Sequence, residues 1–168
     1  IRARYTSWDE VCEADPDEFM QVIRAAGLAN QKGPNIQAAL RRIRAERGRI
    51  DLEWLRDLPV EEAREWLLSF RGVGRKTAAI VLLFSLGIPA FPVDTHIYRV
   101  SGRIGLRPQT LDVDKTHQYL EAAADPADYY AMHLNLIRLG REVCHARKPA
   151  CERCPLVDIC LYPDKNLT

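Results

Sequence analysis

The sequence predicts an all-helical (all-α) fold, and three observations predict it. Turn and cap signals cut the chain into short segments with helical apolar spacing. No segment reads as a convincing strand. From Cys144 onward, cysteine and proline punctuate the chain and regular structure fades. With 168 residues, the chain can hold one good core, or one helical body with a small appendage. Its 47% hydrophobic and 28% charged content is that of an ordinary soluble globular protein, and a net charge of +1 says nothing by itself about partners. No internal repeat or low-complexity segment is present.

Taken in order, Ser7 and Glu10 form a capping box ahead of Val11. Asp15-Pro16 supplies an N-cap followed by proline at the first helical position, and Gly27 closes that helix. Ile36, Leu40 and Ile43 share one face of a helix over about residues 30–47, with Gly48 as its stop. Leu58-Pro59 starts a helix whose apolar positions include Ala63, Trp66 and Leu67. Residues 75–86 differ: from Ala78 onward they are apolar almost all round, which predicts a buried central helix ended by Gly87 and Pro89. Asp94 is placed to cap a helix through Ile97, Val100 and Ile104, and Asp125-Pro126 to begin one through Leu134 and Leu139. The arginine run Arg41, Arg42, Arg44, Arg47 and Arg49 and the acidic stretch 9–18 read as solvated faces. No signal peptide is visible and the most apolar run, residues 78–86, is far too short to cross a bilayer, so a cytosolic setting, or a nuclear one in a eukaryote, is expected.

Two patterns carry chemistry. The first is Gly72-Val73-Gly74-Arg75-Lys76 between two helices, with Asp94 following Lys76 by 18 residues in Pro92-Val93-Asp94-Thr95-His96. Helix, Gly-x-Gly turn and helix make a helix-hairpin-helix. The glycines remove side chains that would keep a phosphate away, and backbone N–H groups before the second helix form an anion site. Arg71, Arg75 and Lys76 add positive charge, so the pattern predicts binding to the DNA backbone without sequence reading. Lys76 has the bland reading of an exposed first-turn lysine. Against it, a cation at a helix N-terminus is disfavoured and Arg75 repels it, and both effects favour the neutral amine a nucleophile needs. Asp94 reads as an N-cap, a role compatible with catalysis where the helix end faces a cleft.

The second pattern is Cys144, Cys151, Cys154 and Cys160, spaced C-x6-C-x2-C-x5-C. Disulfides are disfavoured without a secretory signal, so a metal site is expected, and four thiolates fit either tetrahedral zinc or a [4Fe–4S] cluster. The loop between the first two ligands is short and basic. Pinned at both ends, it would hold Arg147 and Lys148 for phosphate contact. Cys12 lies far away and reads as a small buried hydrophobe.

Hairpin, lysine, aspartate and cysteines in this order resemble endonuclease III, within the helix-hairpin-helix DNA glycosylase superfamily. The stretch Gly72-Val73-Gly74-Arg75-Lys76-Thr77-Ala78 is similar to the family's hairpin and catalytic-lysine motif, Val93-Asp94-Thr95-His96 to its catalytic-aspartate motif, and the four cysteines to its [4Fe–4S] ligands. The likeness spans about residues 27–160. It implies a helical body over residues 1–140, with the helix-hairpin-helix at about 60–87, and an iron–sulfur segment over 141–168. It also implies a bifunctional DNA glycosylase and AP lyase of base excision repair, favouring oxidised pyrimidines. Such an enzyme acts as a monomer, cytoplasmic and nucleoid-associated in a prokaryote, on double-stranded DNA containing damaged bases or abasic sites, without a membrane partner. The lesion would be flipped into a pocket between two helical domains. Lys76 would attack the sugar C1′, Asp94 would stabilise positive charge on the sugar, and Leu28 would be the apolar wedge that fills the gap opposite the flipped base.

The chain departs from the family pattern in two places. Arg71 stands where the family usually has proline, which adds charge near the phosphate. The family's Ser-Gln-x-Thr segment has no counterpart, and the chain opens on Ile1 rather than methionine, so an N-terminal truncation is expected. An alternative from another class is a non-catalytic DNA-binding module that keeps hairpin and cluster. A third is a zinc-stabilised structural domain.

Overall fold

The computed structural model describes residues 1–167. Residue 168, the last of the segment expected to hold the cluster, lies outside the described residues. The chain divides into two compact units, Ile1–Val73 and the remainder from Gly74, and each is built from helices; no strand occurs among the described residues.

In the first unit, α1 (Trp8–Glu13), α2 (Pro16–Ile23), α3 (Ala29–Arg47) and α4 (Val60–Leu68) are joined by 3-10 turns over Arg24–Ala26 and Glu53–Asp57. Ser7 caps α1 by accepting from the Glu10 N–H, but the Glu10 carboxylate reaches the Thr6 N–H (2.8 Å), one residue earlier than a reciprocal box would place it. Asp15 caps α2 through the N–H groups of Asp17 and Glu18, with Pro16 at the first position as expected. Tyr5, Val11, Phe19 and Ile23 form the core, against which Ile36 and Leu40 pack. Gln37, 2% exposed, ties α3 to the end of α1 by donating to the carbonyls of Val11 and Ala14. The acidic and arginine runs are not independent solvated faces: Arg44 pairs with Asp9 (3.3 Å) and Glu13 (2.6 Å), and Arg41 donates to the Cys12 carbonyl. Cys12 is fully buried, which pushes its thiol pKa up, as a small hydrophobe requires.

In the second unit, α5 (Arg75–Ile80) continues as a wider π turn over Val81–Ser85, an irregular stretch leads to Asp94, and α6 (Thr95–Arg103), α7 (Val113–Ala123) and α8 (Tyr129–Glu142) follow. Leu83, Phe91, Val93, Ile97, Val100, Leu120, Tyr129 and Leu136 form the core. α6 and α8 cross closely at Gly140, where a Cβ would sit 2.9 Å from the His96 Cβ. The expected central helix over 75–86 is corrected in two respects. Its second half is a π turn, and Phe84, rather than being buried, is 37% exposed beside Tyr130. α7 carries no clear helical period in the sequence. Its core positions include Thr116 and His117, which hide the apolar period, although Asp112 caps it by accepting from the Lys115 N–H (2.8 Å).

Candidate functional site

Lys76 and Asp94 meet in the second unit. Gly74 is the N-cap of α5, so Lys76 is its second residue and stands exposed. Asp94 precedes α6 in extended conformation, and its Oδ1 accepts the Ile97 N–H at 2.8 Å. Both residues line one hollow of about 350 Å³ together with Val93, Thr95, Tyr98 and Val113. Tyr98 forms a fixed wall: its hydroxyl donates to the Leu111 carbonyl (2.8 Å) and the Arg107 guanidinium stacks on its ring at 3.8 Å. Arg75 reaches towards Asp114 in the first turn of α7 (4.0 Å).

The stretch entering Asp94 is held by three hydrogen bonds, two of them buried, that the sequence did not disclose. The Phe91 N–H donates to Glu121 Oε1 (2.7 Å), His117 Nδ1 lies 2.9 Å from the Phe91 carbonyl, and His133 Nδ1 lies 3.0 Å from the Pro92 carbonyl. A carbonyl can only accept, so each imidazole carries its hydrogen on Nδ1. Burial pushes the His133 pKa below its ordinary value, outweighing the Pro92 carbonyl and the Asp94 charge, while Lys76 and Arg141 push the same way as burial.

The first unit carries Leu28, Arg71 and Gly72, and sets Arg71 and Gly72 against the first turns of α3. Leu28 is the N-cap of α3, left-handed at φ 55° and 67% exposed. A leucine is strained in that region by roughly 1–2 kcal/mol. Arg71 shares a hollow of about 300 Å³ with Asn30, Gln31, Pro34 and Asn35 in the first turns of α3. Gly72, at φ 85°, packs so closely on Asn35 that a Cβ would sit 2.7 Å from its Nδ2. The turn is closed by the Val73 N–H donating to the Phe70 carbonyl (3.1 Å).

All four C-terminal cysteines line one cavity beside the end of α6. Arg103 reaches into it, donating to Cys144 Sγ (3.5 Å) and to the carbonyls of His145 (2.6 Å) and Ala146 (3.0 Å) while stacking on Tyr162. Arg147 and Lys148 are exposed on the loop that follows, Lys148 in left-handed backbone at φ 50°. Between residues 144 and 167 only Pro149 is buried, and the regular structure is a single 3-10 turn, Cys151–Arg153.

The fold and the cavity lined by four cysteines define a helical protein with a C-terminal cysteine-rich segment. Residues 1–126 match the family described as "HhH-GPD superfamily base excision DNA repair protein", and the chain belongs to that family. Residues 144–160 match the iron–sulfur binding domain of endonuclease III. The chain is 32% identical over 159 residues to endonuclease III of Sulfolobus acidocaldarius, covering 95% of this chain and 69% of that protein. It is 34% identical over 172 residues to the DNA glycosylase/AP lyase ROS1 of Arabidopsis thaliana, covering 92% of this chain but 12% of that much longer relative. It superimposes with a TM-score of 0.78 and 31% identity on endonuclease III in a non-covalent DNA complex, over 94% of this chain and 70% of that one. The protein is endonuclease III-like, and its cofactor is a [4Fe–4S] cluster. The donor set fits that group. Four soft sulfur side chains line one cavity, the ligand chemistry such a cluster takes.

Proposed function

We propose that the protein is a bifunctional DNA glycosylase and AP lyase acting on oxidised pyrimidines in double-stranded DNA. The observation that carries this reading is the shared hollow of Lys76 and Asp94. A DNA sugar seated there meets an amine and a carboxylate from two different elements. The Lys76 Nζ lone pair attacks C1′, the glycosidic C–N bond breaks, and the base leaves with the bonding pair. The Asp94 carboxylate stabilises the positive charge that develops on the sugar. The nitrogen lone pair then expels O4′, which takes up the proton that nitrogen loses, so the sugar ring opens to an imine; removal of a C2′ proton expels the 3′ phosphate by β-elimination. Cys144, Cys151, Cys154 and Cys160 hold the cluster, whose contribution when bound is to fix the fold of its segment. Gly72 and Gly74 present backbone N–H groups to a phosphate, Val73 holds the turn between them through the Phe70 carbonyl, and Arg71 and Arg75 add charge beside it. The experiment is borohydride reduction on abasic and thymine-glycol DNA, which converts the imine into a permanent protein–DNA link. An adduct on both substrates is expected. Its absence from folded, cluster-loaded protein leaves only a DNA-binding module.

Two further outcomes follow from this reading. Arg147 and Lys148 are held at the exposed surface of the pinned loop, so the double change Arg147→Ala/Lys148→Ala should reduce the slope of log affinity against log salt by about 2. An unchanged slope in a salt titration would remove both residues from the DNA interface. Leu28→Gly should leave the melting temperature unchanged or slightly raised. Relief of left-handed strain, roughly 1–2 kcal/mol, is opposed by the backbone entropy of a new glycine, about 0.5–1 kcal/mol. Excision of a paired thymine glycol should nevertheless fall about tenfold, with little loss on a pre-formed abasic site, because the wedge is needed to keep the base out. Equal losses on both substrates would argue against a wedge.

A further inference from the structure

We propose that His133 is a positioning residue of the active site, setting the separation of Lys76 and Asp94 by bridging the two elements that carry them. The inference rests on the lyase reading above.

His133 lies on α8 and is 2% exposed. Its Nδ1–H donates to the Pro92 carbonyl at 3.0 Å, two residues before Asp94. Its ring meets Phe84 edge-on, with centroids 5.2 Å apart and planes at 67°. Phe84 belongs to the π turn that continues the Lys76 helix, and Phe91, on the Asp94 side, packs 6.2 Å away. One imidazole therefore touches the continuation of the lysine-bearing helix through its face and edge, and the aspartate-bearing stretch through a hydrogen bond. The π turn explains how Phe84 comes to be there: its wider winding re-aims the residue from the core towards Tyr130 and His133. A leucine or phenylalanine at position 133 would fill the same space but leave the buried Pro92 carbonyl without its donor. Catalytic pairs depend on such support, because a misplacement of about 1 Å from a distant change can slow chemistry about a hundredfold.

The test uses the full chain with its cluster. His133→Phe keeps a ring against Phe84 and removes the donor, whereas His133→Asn places an amide N–H where Nδ1–H stands. Single-turnover trapping on abasic DNA gives the rate, and equilibrium binding to DNA with a reduced, uncleavable abasic site gives the affinity. His133→Phe should lower the trapping rate at saturating DNA about a hundredfold with affinity within about twofold, and His133→Asn should recover most of the rate. Should His133→Phe not fold, His133→Gln carries the same expected loss, since its longer arm misplaces the amide. Wild-type rates in the variants, or losses in Phe and Asn variants that merely follow their melting temperatures, overturn the proposal while leaving the lyase reading intact. A wild-type protein that forms no adduct overturns both.

Discussion

Lys76→Ala is expected to abolish the borohydride-trapped adduct and to slow strand cleavage on the order of a thousandfold or more, while DNA binding and the melting temperature stay close to those of the wild type. The side chain is exposed at the start of α5, so its removal opens no cavity, and taking a cation from a helix N-terminus is neutral or mildly stabilising. Lys76→Arg separates charge from chemistry: a guanidinium keeps the cation near the phosphate but stays protonated and cannot become an imine. Asp94 allows a second separation. Its Oδ1 caps α6 through the Ile97 N–H. Asp94→Asn keeps an effective cap and loses the charge, so turnover should fall about a hundred- to a thousandfold without unfolding. Asp94→Ala loses both, with an added stability loss of about 1 kcal/mol. Residual trapping by Lys76→Ala at the wild-type level would place the nucleophile elsewhere.

Cys154→Ala should lose the cluster and unfold the segment that holds it. Between 144 and 167 only Pro149 is buried, so this stretch has too little apolar surface to order itself. Its conformation depends on ligation, which in small metal domains supplies on the order of 10 kcal/mol of folding free energy. The core around Leu83, Val100 and Leu136 draws on that segment only through Cys144, which packs against it, and should keep its helices. The expected result is a colourless protein with normal helical circular dichroism, rapid hydrogen exchange over 144–167, and the weakened DNA binding of the Arg147/Lys148 double variant. Protection of that segment without iron would show that the loop folds by itself.

Much of this was legible in the sequence where the determinants are local. Asp15 before Pro16, Gly48 after a long helix and Asp94 before Ile97 act over three or four residues, and each sits where the sequence put it. The motif spacing also pointed to Lys76 and Asp94 as a pair, and the structure sets both in one hollow. What stayed hidden depends on partners distant along the chain. His117 and His133 bond carbonyls 26 and 41 positions away, and a carbonyl looks the same in every residue. Nor does composition distinguish a π turn from an α-helix, so Phe84 read as one more core residue.

The cap at Asp94 also has a genetic side. A G-to-A transition turns an aspartate codon into an asparagine codon, and asparagine still accepts the Ile97 N–H. Such an allele would escape removal by protein quality control. On the proposed mechanism its product would still seat itself on lesions without resolving them, and would compete there with working copies. Most loss-of-function changes in the core instead yield little protein and so little interference. A residue that joins fold and chemistry in one side chain thus makes its mildest substitution, judged by stability, the most obstructive one.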